Sequence, residues 1–265
     1  MSIKRRLVWK SAGDSHIGMV RKVNEDAYLD FDQIGLWAVA DGMGGHEAGD
    51  VASKIIVDTL REISPPTDMD NFLASVKSAL NQAHRRIRDE SARHYHHRTI
   101  GSTVVVLVIH KDRVACIWVG DSRIYRMRDS RLQQLTRDHS HVQDLVDQGL
   151  LAAEKANEHP LSNVITRAIG SSDKLAIDVE IFTVQAGDVF LLCSDGLTKM
   201  VDDEKLSRAL ALYDSEQTVN TLIQMALTQG ASDNVTTVVV NIAELEVDID
   251  TEATTTPIPD FNEDA

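Results

Sequence analysis

Cysteine, long apolar runs and positive charge are all scarce in this 265-residue chain. Its two cysteines, Cys116 and Cys193, lie inside the strand-like runs VACIWV and VFLLC. A disulfide scaffold is therefore excluded, and both read as small reduced hydrophobes rather than reactive thiols. The longest aliphatic run, VVVLVI at 104–109, is far short of the roughly 20 residues that span a bilayer, so no membrane span is expected. The start, MSIKRRLVWK, has the charges of a signal peptide but no apolar stretch after them, which points to the cytoplasm. Acids outnumber bases by 41 to 27, for a net charge of −14; no broad basic face is available for nucleic acid, and none is expected as a partner.

Against these absences, a hydrophobic share of 43% and a charged share of 26% describe an ordinary globular protein built on one large core. The charge is uneven. Residues 244–265 hold eight acidic side chains, no basic ones and two prolines, so this segment reads as an acidic, disordered tail outside a domain at 1–243. The stretch RRIRDESARHYHHR at 85–98 reads as the solvated end of a long helix, with a contact to an acidic partner or an anion as the alternative.

Helical periodicity is clear in two places: Ala48, Val51, Ala52, Ile55, Ile56, Thr59, Leu60 and Ile63 form one stripe, and Phe72, Leu73, Val76, Ala79, Leu80, Ala83 and Ile87 another, with Pro65 and Pro66 between them. Strands follow in STVVVLVIH, RVACIWVG, SRIYRMR and RLQQL, close enough in sequence for antiparallel neighbours. An irregular stretch at about 136–165 precedes an alternating run at Leu175, Ile177, Val179 and Ile181, then VFLLC, two helices at 202–211 and 216–228, and a last strand, NVTTVVVNI. Sheets covered by helix pairs, an α+β fold, are the expectation.

One pattern recurs. An apolar run stops at an aspartate in LWAVADG, CIWVGDS and VFLLCSDG, and another begins just after one in SDNVTTVVV. Alone, Asp-Gly is first a turn signal. Four such acids, Asp41, Asp121, Asp195 and Asp233, at the ends of neighbouring strands would repel one another unless a cation lay between them. Ligation by oxygen alone selects a hard ion, Mg²⁺ or Mn²⁺, over Zn²⁺, and Gly42 leaves room for its own carbonyl to reach the ion. Arg21, Glu25 and Asp26 in RKVNED add a guanidinium and two acids in what reads as an extended segment. A guanidinium beside bound metal suits a phosphate; a salt bridge within one strand is the bland alternative. The run GMGGHEAG lacks the third glycine of a dinucleotide loop and the GK[ST] of a Walker loop.

Taken together, RKVNED (21–26), VADGMGGHEAG (39–49), GST (101–103), GDSRIYR (120–126), LTRDHS (135–140), TRAIG (166–170), LLCSDGL (191–197) and GASDNVTTVVV (230–240) resemble, in order, the motifs of the bacterial metal-dependent protein phosphatases (PPM). The resemblance covers about residues 10–243. It implies a four-layer α-β-β-α sandwich of two antiparallel sheets, and hydrolysis of phosphoserine and phosphothreonine with two Mn²⁺ or Mg²⁺ ions and, as in some members, a third. By this resemblance Asp41 bridges both ions with the Gly42 carbonyl on one of them, and Asp195 and Asp233 hold the other. Glu25 and Asp26 hold the metals directly or through water, Arg21 clamps the phosphate, and Asp121 serves a weaker third ion. Met43 stands where many eukaryotic relatives have histidine, so His46 becomes the candidate leaving-group acid, with water as its rival. The segment 136–165 is expected to form a flap beside the site. The implied partners are phosphoproteins that are substrates of a cognate Ser/Thr kinase, met by a monomer; the glycine-rich stretch is similar to phosphatases linked to type VI secretion. A partner-binding pseudophosphatase and a hydrolase of small phosphate esters are the alternatives.

Overall fold

The computed structural model describes residues 3–44, 48–95, 99–156 and 159–248. Strands apolar at every position must be covered on both faces, and that condition produces the layers. In β3 (Leu36–Met43), Leu36, Ala38 and Ala40 face one way and Trp37 and Val39 the other. In β5 (Val104–His110), Val104, Val106 and Val108 oppose Val105, Leu107 and Ile109. One set packs with α1 (Gly49–Arg61) and α2 (Met69–His94). The other meets Phe190, Leu192, Val238 and Val240 of a second sheet.

The first sheet runs β2 (Asp26–Phe31), β3, β5, β6 (Arg113–Val119), β9 (Asp178–Thr183), with the short β4 (Gly101–Ser102) against the end of β3. The second runs β1 (Ile3–His16), β11 (Val235–Asp248), β10 (Val189–Cys193), β7 (Arg123–Arg128), β8 (Arg131–Gln134). Every pairing is antiparallel. The outer face of the second sheet, through Leu191, Cys193, Val235 and Val239, packs on α4 (Asp195–Thr198), α5 (Asp203–Leu212) and α6 (Ser215–Thr228). The α+β sandwich of two antiparallel sheets is thus the fold observed. No helix among the described residues is long and apolar enough to cross a membrane.

Helices α2, α5 and α6 begin at Asp68, Asp202 and Asp214, whose carboxylates accept the N–H of Asn71, Lys205 and Gln217 at 2.8–2.9 Å. Residues 85–94 of the basic stretch read as a helix end belong to the C-terminal half of α2, where Arg88 pairs with Asp173 and Arg86 donates to Thr59; 96–98 lie outside the described residues.

Four expectations need correction. Strands β6 and β7, close in sequence, belong to different sheets. The turn at 120–122 carries the chain across, and Gly120 adopts φ +112°, where a Cβ would sit 2.5 Å from Thr103. Residues 17–25 are a loop rather than an extended segment, so Arg21 does not pair within a strand. Strand β9 starts at Asp178, later than the alternation suggests, although Leu175, Ile177 and Val179 still pack on the helix-facing core. The last strand does not end at 243: it continues to Asp248, with 244–248 paired to 3–7 of β1. A backbone ladder with β1 holds these acidic residues despite their charge. The rest of the expected tail, 249–265, lies outside the described residues.

Segment 136–165 forms α3 (His141–Asp147), capped by Ser140, and a 3-10 turn at Ala153–Lys155. Its ends are drawn together by His141 N–H to Val164 O at 2.9 Å and Thr166 N–H to His139 O at 2.7 Å.

Candidate active site

The period of two along each strand decides where the acids point. Asp41 shares the face of Trp37 and Val39, Asp26 that of Tyr28, Thr236 that of Val238, and Ser194 that of Phe190 and Leu192; these apolar residues all belong to the core between the sheets. The acids continue the core at one end of the sandwich. Asp26 and Asp41 stand directly opposite each other in the β2/β3 register, an arrangement that like charges disfavour. β3 runs two residues past Asp41, because Gly42 and Met43 pair with Ser102 and Gly101 of β4.

The other acids arrive at the same end from strand termini. Asp195 opens α4 directly after β10, Asp233 lies two residues before β11, and Asp121 sits in the turn that crosses between sheets. Their proximity shows in their ionisation. Burial, followed by Asp195 and Asp233, pushes Asp26 up to about 7, against hydrogen bonds from Thr236 and Ser194 that pull it down. Burial, then Asp26, Asp195, Asp121 and Asp233, raises Asp41 well above the carboxylate range. Burial, then Asp195 and Asp138, pushes Asp121 up to about 7. The two thiols are remote from this chemistry: both cysteines are free and buried, and burial raises both.

Arg21 Nη2 reaches Asp233 Oδ2 at 2.8 Å. Burial opposes its charge, but Asp233, with Glu25 and Asp41 behind it, carries its pKa upward. Glu25 is turned elsewhere: its Oε1 accepts the N–H of Gly49 at 3.2 Å at the start of α1. Its main-chain carbonyl accepts from Gly42 N–H at 3.1 Å and from Ser53 Oγ at 2.6 Å. A Cβ on Gly42 would meet the Gly49 carbonyl at 2.1 Å, so the approach of β3 to α1 requires glycine. His46 lies outside the described residues.

Sequence reasoning passed over the residues that hold the acids in place. Thr236 Oγ1 donates to Asp26 Oδ2 at 2.6 Å. Having spent its one proton there, it must accept from Ser15 Oγ at 2.7 Å, and Ser15 accepts from Asn24 Nδ2 at 2.8 Å. Asn234 pins the Arg21 loop: its Nδ2 donates to the carbonyls of Ile17 and Val23 at 2.9 and 3.0 Å, and its Oδ1 accepts from Glu25 N–H at 2.8 Å. Thr103 of GST accepts from Asp41 N–H at 3.2 Å and shares a proton with Ser122 at 2.7 Å. His139 holds Gly120 from both sides, accepting its N–H on Nδ1 at 3.1 Å and donating its own N–H to the Gly120 carbonyl at 2.9 Å. With Nδ1 an acceptor, Nε2 carries the proton and donates to Asp178 at 3.1 Å. Arg123 grips both oxygens of Asp138, joining GDSR to RDHS. Thr103, Asn234, Thr236 and His139 all stand within the quoted motifs, and that was the available signal.

Asp121, Asp195, Ser140, Ser162, Asn163 and Lys199 line a cleft of about 300 Å³ between segment 136–165 and the acids. Among the described residues no three acidic, histidine or cysteine side chains are turned together into a ready ion cage. Asp195 is turned to Lys199, Asp233 to Arg21 and Asp26 to Thr236. The donor set nevertheless fits a hard divalent ion: it is all oxygen, and its carboxylates raise one another's pKa values as charges lacking a counter-ion do.

The sequence model of the family described as protein phosphatase 2C matches residues 12–239. The serine/threonine protein phosphatase PstP of Mycobacterium tuberculosis is 34% identical over 240 residues, which are 91% of this chain and 46% of that protein. The chain thus spans about half the length of that curated relative. A solved structure of PppA, described as a key regulatory component of the type VI secretion system in Pseudomonas aeruginosa, is 43% identical with a TM-score of 0.83, covering 90% of this chain and 100% of that one. The catalytic domain of PstP in complex with two manganese ions is 34% identical with a TM-score of 0.82, covering 89% and 99%.

Proposed function

The chain belongs to the protein phosphatase 2C family, and from that membership we propose that it is a metal-dependent phosphatase of phosphoserine and phosphothreonine in proteins. The observation that carries this reading is the meeting of Asp26 and Asp41 from one sheet with Asp195 and Asp233 from the other, beside Arg21. Two Mn²⁺ or Mg²⁺ ions would be held by Asp41, Asp195 and Asp233, with the Gly42 carbonyl and with Asp26 and Glu25 directly or through water. Asp121 would serve a weaker third ion. When bound, such ions supply Lewis-acid polarisation of phosphoryl oxygens and acidify water at the site.

The chain's own residues do the rest. Arg21 uses guanidinium donors not committed to Asp233 to grip phosphate oxygens and orient the ester. Thr236, fixed through Ser15 and Asn24, holds the Asp26 carboxylate on the site side of β2. Segment 136–165, anchored at both ends, bounds the cleft where the peptide around the phosphoresidue would lie. His46 is the proposed proton donor to the leaving oxygen. The setting proposed is a cytoplasmic bacterial signalling pair with a Ser/Thr kinase, and the likeness to PppA makes type VI secretion the first system in which to seek its substrates.

Hydrolysis of a phosphothreonine peptide, with Mn²⁺ and after exhaustive chelation, tests the reading beside Asp195→Asn. Turnover should require Mn²⁺ or Mg²⁺ and be largely lost in the variant. Undiminished turnover without metal, or phosphopeptide binding with no hydrolysis under any metal, overturns it.

A further inference from the structure

We infer that Lys199 is a resident counter-cation of the carboxylate cluster and sets how tightly a divalent ion binds on the side of Asp121 and Asp195. The inference rests on the metal-dependent reading above. Asp195 opens α4, and Lys199 follows one turn later, its N–H bonded to the Asp195 carbonyl at 2.9 Å. This spacing returns the lysine side chain over the first residue of the helix. Nζ lies 2.5 Å from Asp195 Oδ2, with the Lys199 side chain 29% exposed and that of Asp195 17%. The contact is therefore not an ion pair on the open surface, where solvent would reduce it to little.

Its field extends past Asp195. Partial burial works against the ammonium, yet Asp195, then Asp121 and Asp233, hold its pKa above the usual lysine value. Asp121 makes no ion pair among the described residues. Lys199, Asp121 and Asp195 line one cleft. An ion settling on these two carboxylates must displace Nζ from Asp195 or accept a like charge beside it. Without ions, the same ammonium relieves the repulsion between the acids. One residue should thus steady the metal-free protein and weaken its hold on metal.

These effects have opposite signs, which makes the inference testable on the full chain. Mn²⁺ binding is followed by titration calorimetry and native mass spectrometry for the wild type, for Lys199→Met and Lys199→Gln, which remove the charge, and for Lys199→Arg, which keeps it. The neutral variants should bind the weakest-held Mn²⁺ about tenfold more tightly or better, as expected when a like charge a few ångströms away is removed. They should also melt at a lower temperature than the wild type in chelator, and Lys199→Arg should follow the wild type in both. Wild-type affinity and stoichiometry in either folded neutral variant overturns the inference, as does an equal shift in Lys199→Arg, which would assign the effect to packing. A wild-type protein that binds no Mn²⁺ overturns this inference and the metal-dependent reading together.

Discussion

Arg21 joins Asp233 across 212 residues of sequence with its side chain 48% exposed. A guanidinium has five donors in a planar fork, so one bond to Asp233 can fix its direction while others meet a phosphate. Arg21→Ala should raise KM for a phosphothreonine peptide by about 10- to 100-fold, the scale of a lost charged hydrogen bond, with a smaller change in kcat. Steady-state kinetics decide; a fall in kcat at constant KM would place the arginine on the transition state alone. His84 makes a different case, since it is buried and its Nδ1 accepts Gly170 N–H at 3.0 Å. Burial, then Arg88 and with it Arg85, lowers its pKa, while the backbone carbonyl of Ser172, which favours the protonated ring, acts the other way. A histidine depressed in the folded state contributes stability that is present above its unfolded pKa, about 6.5, and lost as pH falls through that value. His84→Asn can keep an acceptor but does not titrate. Its gap to the wild type in urea midpoint should therefore narrow between pH 7.5 and pH 5, and a constant gap would show that His84 does not titrate between the two states.

Strands β1 and β11 pair over 14 positions, but β10 supports β11 only at 237–241. Beyond them the ladder is a two-stranded ribbon, which is marginal alone. Truncation after Ala243 strips the partners of 3–7 and should cost about 1 kcal/mol, or roughly 2–4 °C in Tm for a domain of this size, relative to truncation after Asp248. Calorimetry of the two truncated chains checks it, and equal Tm values would show that the ribbon contributes nothing. This ladder also marks a limit of legibility. Helices α1, α2, α5 and α6 and the strands β5, β6, β10 and β11 were readable because periodicity and continuous apolar runs are local signals. β1 was not, since Lys4, Arg5 and Arg6 interrupt any apolar pattern and its order comes from β11, more than 200 residues away. Nor does alternation say which sheet a strand joins, so the crossing at 120–122 stayed hidden. The acids could be read where apolar runs break at aspartate. Their holders, such as Thr236 for Asp26, act between positions that only the fold brings together.

At the scale of the molecule, each sheet contributes carboxylates to one end of a shared apolar core, and the chain as a whole carries a charge of −14. The metal-free protein therefore holds two sheets together where their acids repel, with Arg21 and Lys199 as counter-ions touching Asp233 and Asp195. An ion that binds this end ties the sheets to each other and binds the folded state alone, because the unfolded chain scatters Asp41, Asp195 and Asp233 over nearly 200 positions. Linkage then gives about 2.7 kcal/mol of stability at free Mn²⁺ 100-fold above its Kd, or roughly 5–10 °C in Tm. Asp41→Asn should invert the balance. Without metal it replaces an acid whose ionisation burial and Asp26 oppose, and should leave the protein at least as stable as the wild type; with Mn²⁺ it should gain little. Differential scanning calorimetry of both proteins, in chelator and in Mn²⁺, separates the cases. If Mn²⁺ leaves the wild-type Tm unchanged, or raises that of Asp41→Asn equally, the acids do not form an ion site between the sheets; if Asp41→Asn unfolds without metal, Asp41 is part of the scaffold.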